Sequence, residues 1–269
     1  MKTGMSTASF YGREYNEDAL RRMGELGVHD AELFFSAHSE YAPSFLHEVR
    51  EICRGEDIRI RSIHAFGTQF EPQLMSFHDR QFKEALDVYH EALAAAEFLG
   101  ADTYVFHGAM YLKRARGFHP DYAFAGERIS QLADIARDYG VALCYETVHW
   151  CWYHFPEFAT ELLRHVSSPN LYFTLDLKQA AQSGYSPIEY IDKMQGRLRH
   201  VHVCDYTTTD EGYVMPCLPM TGQAPWHEIR DRLRADQFDG HLMLEVYMND
   251  YDTYDELMDS YRSVSQYFA

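Results

Sequence analysis

Two hydrophobic periods alternate along the chain. Short runs rich in β-branched and aromatic residues are followed by longer stretches in which apolar residues recur every three or four positions, and eight such pairs can be read. The pattern predicts strands at Lys2 to Thr7, Asp30 to Phe35, Ile58 to His64, Thr103 to His107, Val141 to Glu146, Leu171 to Asp176, Leu198 to Val203 and His241 to Val246. Helical patterns lie between them. Asn16 to Leu26 stops at Gly27, Pro43 opens a helix running towards Gly55, Arg80 to Leu99 closes at Gly100, and Tyr122 to Tyr139 closes at Gly140. Pro156, Pro187 and Pro225 open three more, and the last runs from about Thr253 to the C-terminus. Proline near the start and glycine past the end is ordinary helix punctuation. Strict strand–helix alternation implies a parallel sheet with right-handed crossovers, and eight units close a barrel. The expectation is α/β: a single (β/α)8 TIM barrel over residues 1–269. An open doubly wound sheet usually carries a glycine-rich turn after its first strand, whereas this chain reads S-T-A-S-F-Y-G.

Charge narrows the function. With 24 Lys+Arg against 41 Asp+Glu the formal net charge is −17, which argues against nucleic acid as a partner. The N-terminal M-K-T-G-M-S-T-A-S-F has no apolar run of the kind a signal peptide or membrane span requires, so a cytoplasmic protein without a membrane partner is expected. Five cysteines without a C-x-x-C pair favour reduced, inert thiols, Cys144 and Cys204 among them.

In a barrel, chemistry collects at the C-terminal ends of the strands. The third to eighth predicted strands end at or near His64, His107, Glu146, Asp176, His202 and Glu245. A single such residue is usually solvated or internally bonded; six consecutive strands ending alike is a different matter. Carboxylates in L-C-Y-E, T-L-D and M-L-E are costly to bury unpaired and repel one another when gathered. A divalent cation relieves both problems.

The segments Y-E-T (Glu146), L-D-L-K-Q-A (Asp176), H-V-H-V-C-D (His202, Asp205) and L-E-V-Y (Glu245) resemble those of the xylose isomerase-like TIM barrels, and the resemblance covers essentially the whole chain. That family includes sugar isomerases, ketose 3-epimerases, inosose dehydratases and endonuclease IV. The resemblance implies that Glu146, Asp176, His202 and Glu245 hold one divalent metal, and that His64 and His107 line the pocket, as their counterparts do; in endonuclease IV such histidines bind additional metal. Two departures stand out. Where the family often has His three residues after the sixth-strand Asp, this chain has Gln179, preceded by Lys178. The segment after the seventh strand lacks the Asp-x-His pair of the endonuclease, which places DNA repair behind sugar chemistry.

Three carboxylates and one imidazole suit Mn²⁺, with Co²⁺, Mg²⁺ or Zn²⁺ as alternatives. Such an ion stabilises an enediolate, and Glu146 and Glu245, arriving from different sides, serve as the proton-transferring pair. The expected function is therefore a metal-dependent sugar isomerase or epimerase acting on an unphosphorylated ketose or keto-sugar. A non-catalytic carbohydrate-binding barrel, an inosose-dehydratase-like lyase and an endonuclease IV-type phosphodiesterase are the alternatives. His64, His107, Lys178, Gln179, Trp150 and Asp205 are the expected substrate contacts. The loop after the fifth strand offers Trp150, Trp152, Tyr153 and Phe155 either to a sugar face or to packing. Lys113, Arg114 and Arg116 read as a solvated basic loop, Gln69, Phe70 and Glu71 fall on a loop able to cover the pocket, and His200 reads as core. The resemblance also implies a homodimer or homotetramer.

Overall fold

A computed structural model of the protein describes residues 1–65, 69–111 and 120–269. The chain begins with β1 (Lys2–Ser6), α1 (Asn16–Glu25), β2 (Asp30–Phe35), α2 (Pro43–Gly55) and β3 (Arg59–Ala65). A single turn, α3 (Glu71–Leu74), precedes the long α4 (Asp79–Leu99), followed by β4 (Thr103–Phe106), α5 (Tyr122–Asp138), β5 (Ala142–Glu146) and α6 (Glu157–Leu163). Then come β6 (Leu171–Asp176), the short helices α7 (Leu177–Gln182) and α8 (Pro187–Lys193), β7 (Leu198–Val203) and a hairpin of β8 (Asp205–Thr208) with β9 (Val214–Cys217). The chain ends with α9 (Trp226–Ala235), β10 (His241–Leu244) and α10 (Tyr254–Phe268).

The eight long-range strands form a closed barrel in the order β1, β10, β7, β6, β5, β4, β3, β2, and every neighbouring pair is parallel. Closure is direct, because β1 pairs with both β2 (Met5 opposite Ala31) and β10 (Lys2 opposite His241). That excludes the open doubly wound sheet. The α7 helix and the β8–β9 hairpin were not among the predicted elements. His107 and Glu245 lie one residue beyond β4 and β10 rather than within strands.

Alternation along the strands divides the molecule into two kinds of interior. Met5, Leu33, Ile63, Tyr104, Leu143, Phe173, Val201 and Leu242 are fully buried and lie on the strand face that packs beneath the helices. The helices answer with apolar stripes such as Ala85, Tyr89, Ala92 and Ala96 of α4, which stops at Gly100 in the left-handed conformation (φ +77°). The inward strand face is largely polar instead: Ser6, Glu32, Ser62, Thr103, Thr174 and His200 are all buried there, alongside Val105, Cys144 and Met243. The apolar shell between sheet and helices thus supplies the hydrophobic stabilisation, and the barrel's axis carries a hydrogen-bonded network. Among the described residues no helix is long and apolar enough to cross a membrane.

Candidate metal centre and substrate pocket

Glu146 ends β5, Asp176 ends β6, His202 lies near the end of β7, and Glu245 follows β10. These four strands are consecutive around the barrel, so each neighbour contributes one residue. Register keeps them on one face: Asp176 is opposite His202, and His202 is opposite Met243, two positions before Glu245. The four residues are buried and offer one ligand atom each, all within 4.8 Å of one another. His202 Nδ1 lies 2.8 Å from Glu146 Oε1 and 2.8 Å from Glu245 Oε2.

The electrostatics are those of a cation site. Burial, together with repulsion from Glu146 and Glu245, raises the Asp176 carboxyl to about 6 despite the nearby Lys178 ammonium. Burial works against a charged His202, yet Glu245, Glu32 and Glu146 push its pKa well above the ordinary imidazole value. Glu146 Oε2 is buried without an aligned hydrogen bond. Three carboxylates and one imidazole converging this tightly fit a divalent ion with a preference for oxygen donors.

Around this cluster lies a cavity of about 320 Å³, lined in part by Phe34, His64, His107, Trp150, Lys178 and Tyr247. His64 Nε2 and His107 Nε2 face each other at 3.1 Å, and Glu146 Oε2 is 3.7 and 3.1 Å from them. Burial lowers the pKa of His107, but Glu146 and Glu71 outweigh it and bring the imidazole up to about 10. The Lys178 ammonium is buried, 3.5 Å from Asp176 Oδ2, and donates to the Tyr247 hydroxyl at 2.6 Å. Gln179 also lines the cavity, and its side-chain oxygen accepts from the His149 backbone N–H at 3.1 Å, tying down the loop that carries Trp150. Asp176 has a second task. Its Oδ1 accepts from the Gln179 N–H at 2.7 Å and caps the N-terminus of α7.

The structure brings together nine of the ten residues that the sequence singled out for the site. Asp205 is the exception. Its carboxylate is fully buried away from the cavity and accepts four N–H bonds, from Tyr206 and Ala224 on Oδ1 and from Gly222 and the Trp226 indole on Oδ2, at 2.8–2.9 Å. A carboxylate with both oxygens so engaged has no capacity for a substrate hydroxyl, and the expected contact is corrected to an anchor for the chain after β9. The aromatic loop divides too: Trp150 reaches the cavity, whereas Tyr153 is fully buried against Tyr145, Phe158, Phe173 and Tyr190. Lys113, Arg114 and Arg116 lie outside the described residues.

Three residues near the site escaped the sequence reading of roles. Glu71 does not cover the pocket: it is fully buried, accepts from Tyr104 Oη and the His107 backbone N–H at 2.8 Å each, and lies 3.3 Å from His107 Nδ1. Tyr247 contributes its hydroxyl to Lys178. Glu32, in the middle of β2, stands beneath the cluster. Its Oε2 accepts from Ser62 Oγ at 2.7 Å and lies 3.0 Å from His200 Nε2, while His202 Nε2 is 3.2 and 3.3 Å from its two oxygens. Burial opposes ionisation of Glu32, but His202, His200 and His64 hold its carboxyl well below the ordinary range. His200, read as core, is buried with Glu32 as its partner. Burial also pushes the Cys144 thiol up to about 12, in keeping with an inert cysteine.

Comparison with known proteins places this geometry in a family. Fructoselysine 3-epimerase of Escherichia coli O157:H7 is 23% identical over 261 residues, with 93% of each chain covered. The structure of D-psicose 3-epimerase from Clostridium cellulolyticum H10, solved with D-tagatose, superimposes with a TM-score of 0.81 at 17% identity, covering 100% of this chain and 98% of that one. A probable 3-DHS dehydratase from Bacillus anthracis superimposes with a TM-score of 0.76 at 16% identity, covering 98% and 99%. The family described as xylose isomerase-like TIM barrel matches residues 20–264, and the chain belongs to it.

Proposed function

We propose that the protein is a divalent-metal-dependent epimerase or isomerase of an unphosphorylated ketose, working by transfer of a carbon-bound proton. The observation that carries this reading is the placement of Glu146 and Glu245 on the two outer strands of the four-strand ligand cluster, both at the edge of the cavity. Glu146, Asp176, His202 and Glu245 would hold the ion, with Mn²⁺ the best match to three carboxylates and one imidazole. When bound, the ion supplies Lewis-acid polarisation of a carbonyl and its neighbouring hydroxyl, which acidifies the C–H between them.

The chain's own groups do the rest. One of the two glutamates takes the proton from one face of the substrate carbon, and the other returns a proton to the opposite face, which inverts that carbon. His64 and His107 offer imidazole nitrogens to substrate hydroxyls, and Phe34 and Trp150 supply flat walls for the sugar's apolar faces. Lys178 already serves Asp176 and Tyr247, and the surrounding carboxylates disfavour a phosphate, so a neutral sugar suits the cavity better. The fructoselysine and D-psicose 3-epimerases among the relatives make C3 of a ketose the first position to test.

The test is incubation of Mn²⁺-loaded protein with a panel of ketoses in ²H₂O, followed by NMR. Deuterium entering at the carbon next to the carbonyl, and lost in Glu146→Gln and Glu245→Gln, is the expected result. A fully loaded protein that exchanges no carbon-bound proton of any ketose in the panel overturns the reading.

A further inference from the structure

We infer that Glu32, which lies outside the ligand set, is a positioning residue that fixes the tautomer of His202 and presents the Nδ1 lone pair to the metal. This rests on the metal-dependent reading above. Glu32 reaches the barrel axis from β2, three places around the sheet from the β7 strand that carries His202. It is fully buried and does not line the cavity, so it touches neither substrate nor solvent. A buried carboxylate is expensive unless it is engaged, and here Oε2 meets Ser62 Oγ and the Nε2 atoms of His200 and His202, while Oε1 has His202 Nε2 at 3.2 Å and His64 Nδ1 at 3.6 Å without an aligned hydrogen bond. The two nitrogens of His202 therefore face different partners. Nε2 points down to Glu32, at 3.2 and 3.3 Å, and Nδ1 points up to Glu146 and Glu245, at 2.8 Å each.

A neutral imidazole that donates Nε2–H to a fixed carboxylate has Nδ1 as its only lone-pair nitrogen, and here Nδ1 is already aimed at Glu146 and Glu245. Ser62 and His200 hold that carboxylate in turn, one from the adjacent strand β3 and one from β7 itself. The same carboxylate also lies 3.6 Å from His64 Nδ1, and Glu32, His64 and His202 could in principle form a second cation site. The two roles differ in stoichiometry. A positioning residue changes affinity at one site, whereas a ligand changes the number of ions bound.

Calorimetric titration of Mn²⁺ into chelator-stripped wild type and Glu32→Gln separates them. One ion per chain in both, bound about 10–100-fold more weakly by the variant, is the expected result. Equal affinity overturns the inference while leaving the metal-dependent reading intact, and two ions in wild type against one in the variant make Glu32 a ligand and overturn it as well. No binding by wild type overturns both. Because Glu32→Gln removes a buried charge and can fail to fold, a second measurement uses wild type alone: long-range ¹H–¹⁵N NMR of the Zn²⁺-loaded protein. His202 protonated on Nε2 with Nδ1 bound to metal supports the inference, and Nε2 coordination overturns it.

Discussion

Asp176 ends the barrel strand β6 and Asp205 lies two residues past the barrel strand β7; both are almost completely buried, yet they differ in the number of N–H groups aimed at them. Asp205 has four, two on each oxygen. Asp176 has a single backbone donor on Oδ1 and, on Oδ2, an ammonium 3.5 Å away, with two further carboxylates as neighbours. The first arrangement satisfies a carboxylate and gains stability. The second leaves it short of positive charge, which is what a metal ligand requires. Burial and sequence motif do not distinguish the two residues; the supply of donors does.

The comparison yields its largest predicted effect in catalysis. Asp176→Asn should bind metal poorly and lower proton exchange by roughly 10²-fold or more, because the Lewis-acid stabilisation of several kcal/mol goes with the ion. Asp205→Asn, in a protein shown to be folded, should retain metal stoichiometry. Matched losses of metal in the two variants, measured by elemental analysis, would break the distinction. Stability should show the reverse order. Asp205→Ala leaves three backbone N–H groups and an indole N–H without their acceptor, and a cost of about 3 kcal/mol or more is expected in denaturant unfolding.

A smaller effect tests the same anchor from its other side. A Cβ on Gly222 would come within 2.3 Å of the Tyr206 carbonyl oxygen and 2.6 Å of Asp205 Oδ1, so Gly222→Ala must displace backbone. A loss of about 1–3 kcal/mol with unchanged affinity for Mn²⁺ is expected, again by unfolding and titration. The smallest effect concerns pH in the metal-free protein. The folded-state pKa of Asp176 is raised to about 6 from an ordinary value near 3.8, so ionisation is easier in the unfolded chain. Its contribution is full below the unfolded value and is lost as pH rises through about 6. Asp176→Asn should therefore melt a few degrees above wild type at pH 7, with the gap closing towards pH 4. A gap that widens on acidification would reverse the assignment.

Much of this was legible in the sequence, for identifiable reasons. Strand–helix alternation is written in apolar periods, and in a parallel barrel the chemistry gathers at the C-terminal ends of the strands, so His64, His107, Glu146, Asp176, His202 and Glu245, each at or within one residue of a strand end, could be found by position. Glu32 escaped because it lies in mid-strand, in D-A-E-L-F-F; the only signal was a carboxylate alternating with apolar neighbours, and its meaning depends on His200 and His202 across the barrel. Glu71 escaped for a related reason, since its partners come from β4 and the turn after it. Asp205 misled because it shares H-V-H-V-C-D with His202, while the chain leaves the barrel at Cys204 to form the hairpin. Beyond that bend, strand alternation no longer says which way a side chain points.

The capping of α7 by Asp176 bears on how portable this centre is. Asp176 lines the cavity while one of its oxygens starts a helix, and the first turn of that helix carries Lys178 and Gln179, which form the neighbouring wall. Ligand, wall and helix origin therefore form one mechanical unit. Anyone transplanting the site into another barrel should move β6 and α7 as a single cassette, because an aspartate grafted alone would arrive without the N–H that sets its rotamer.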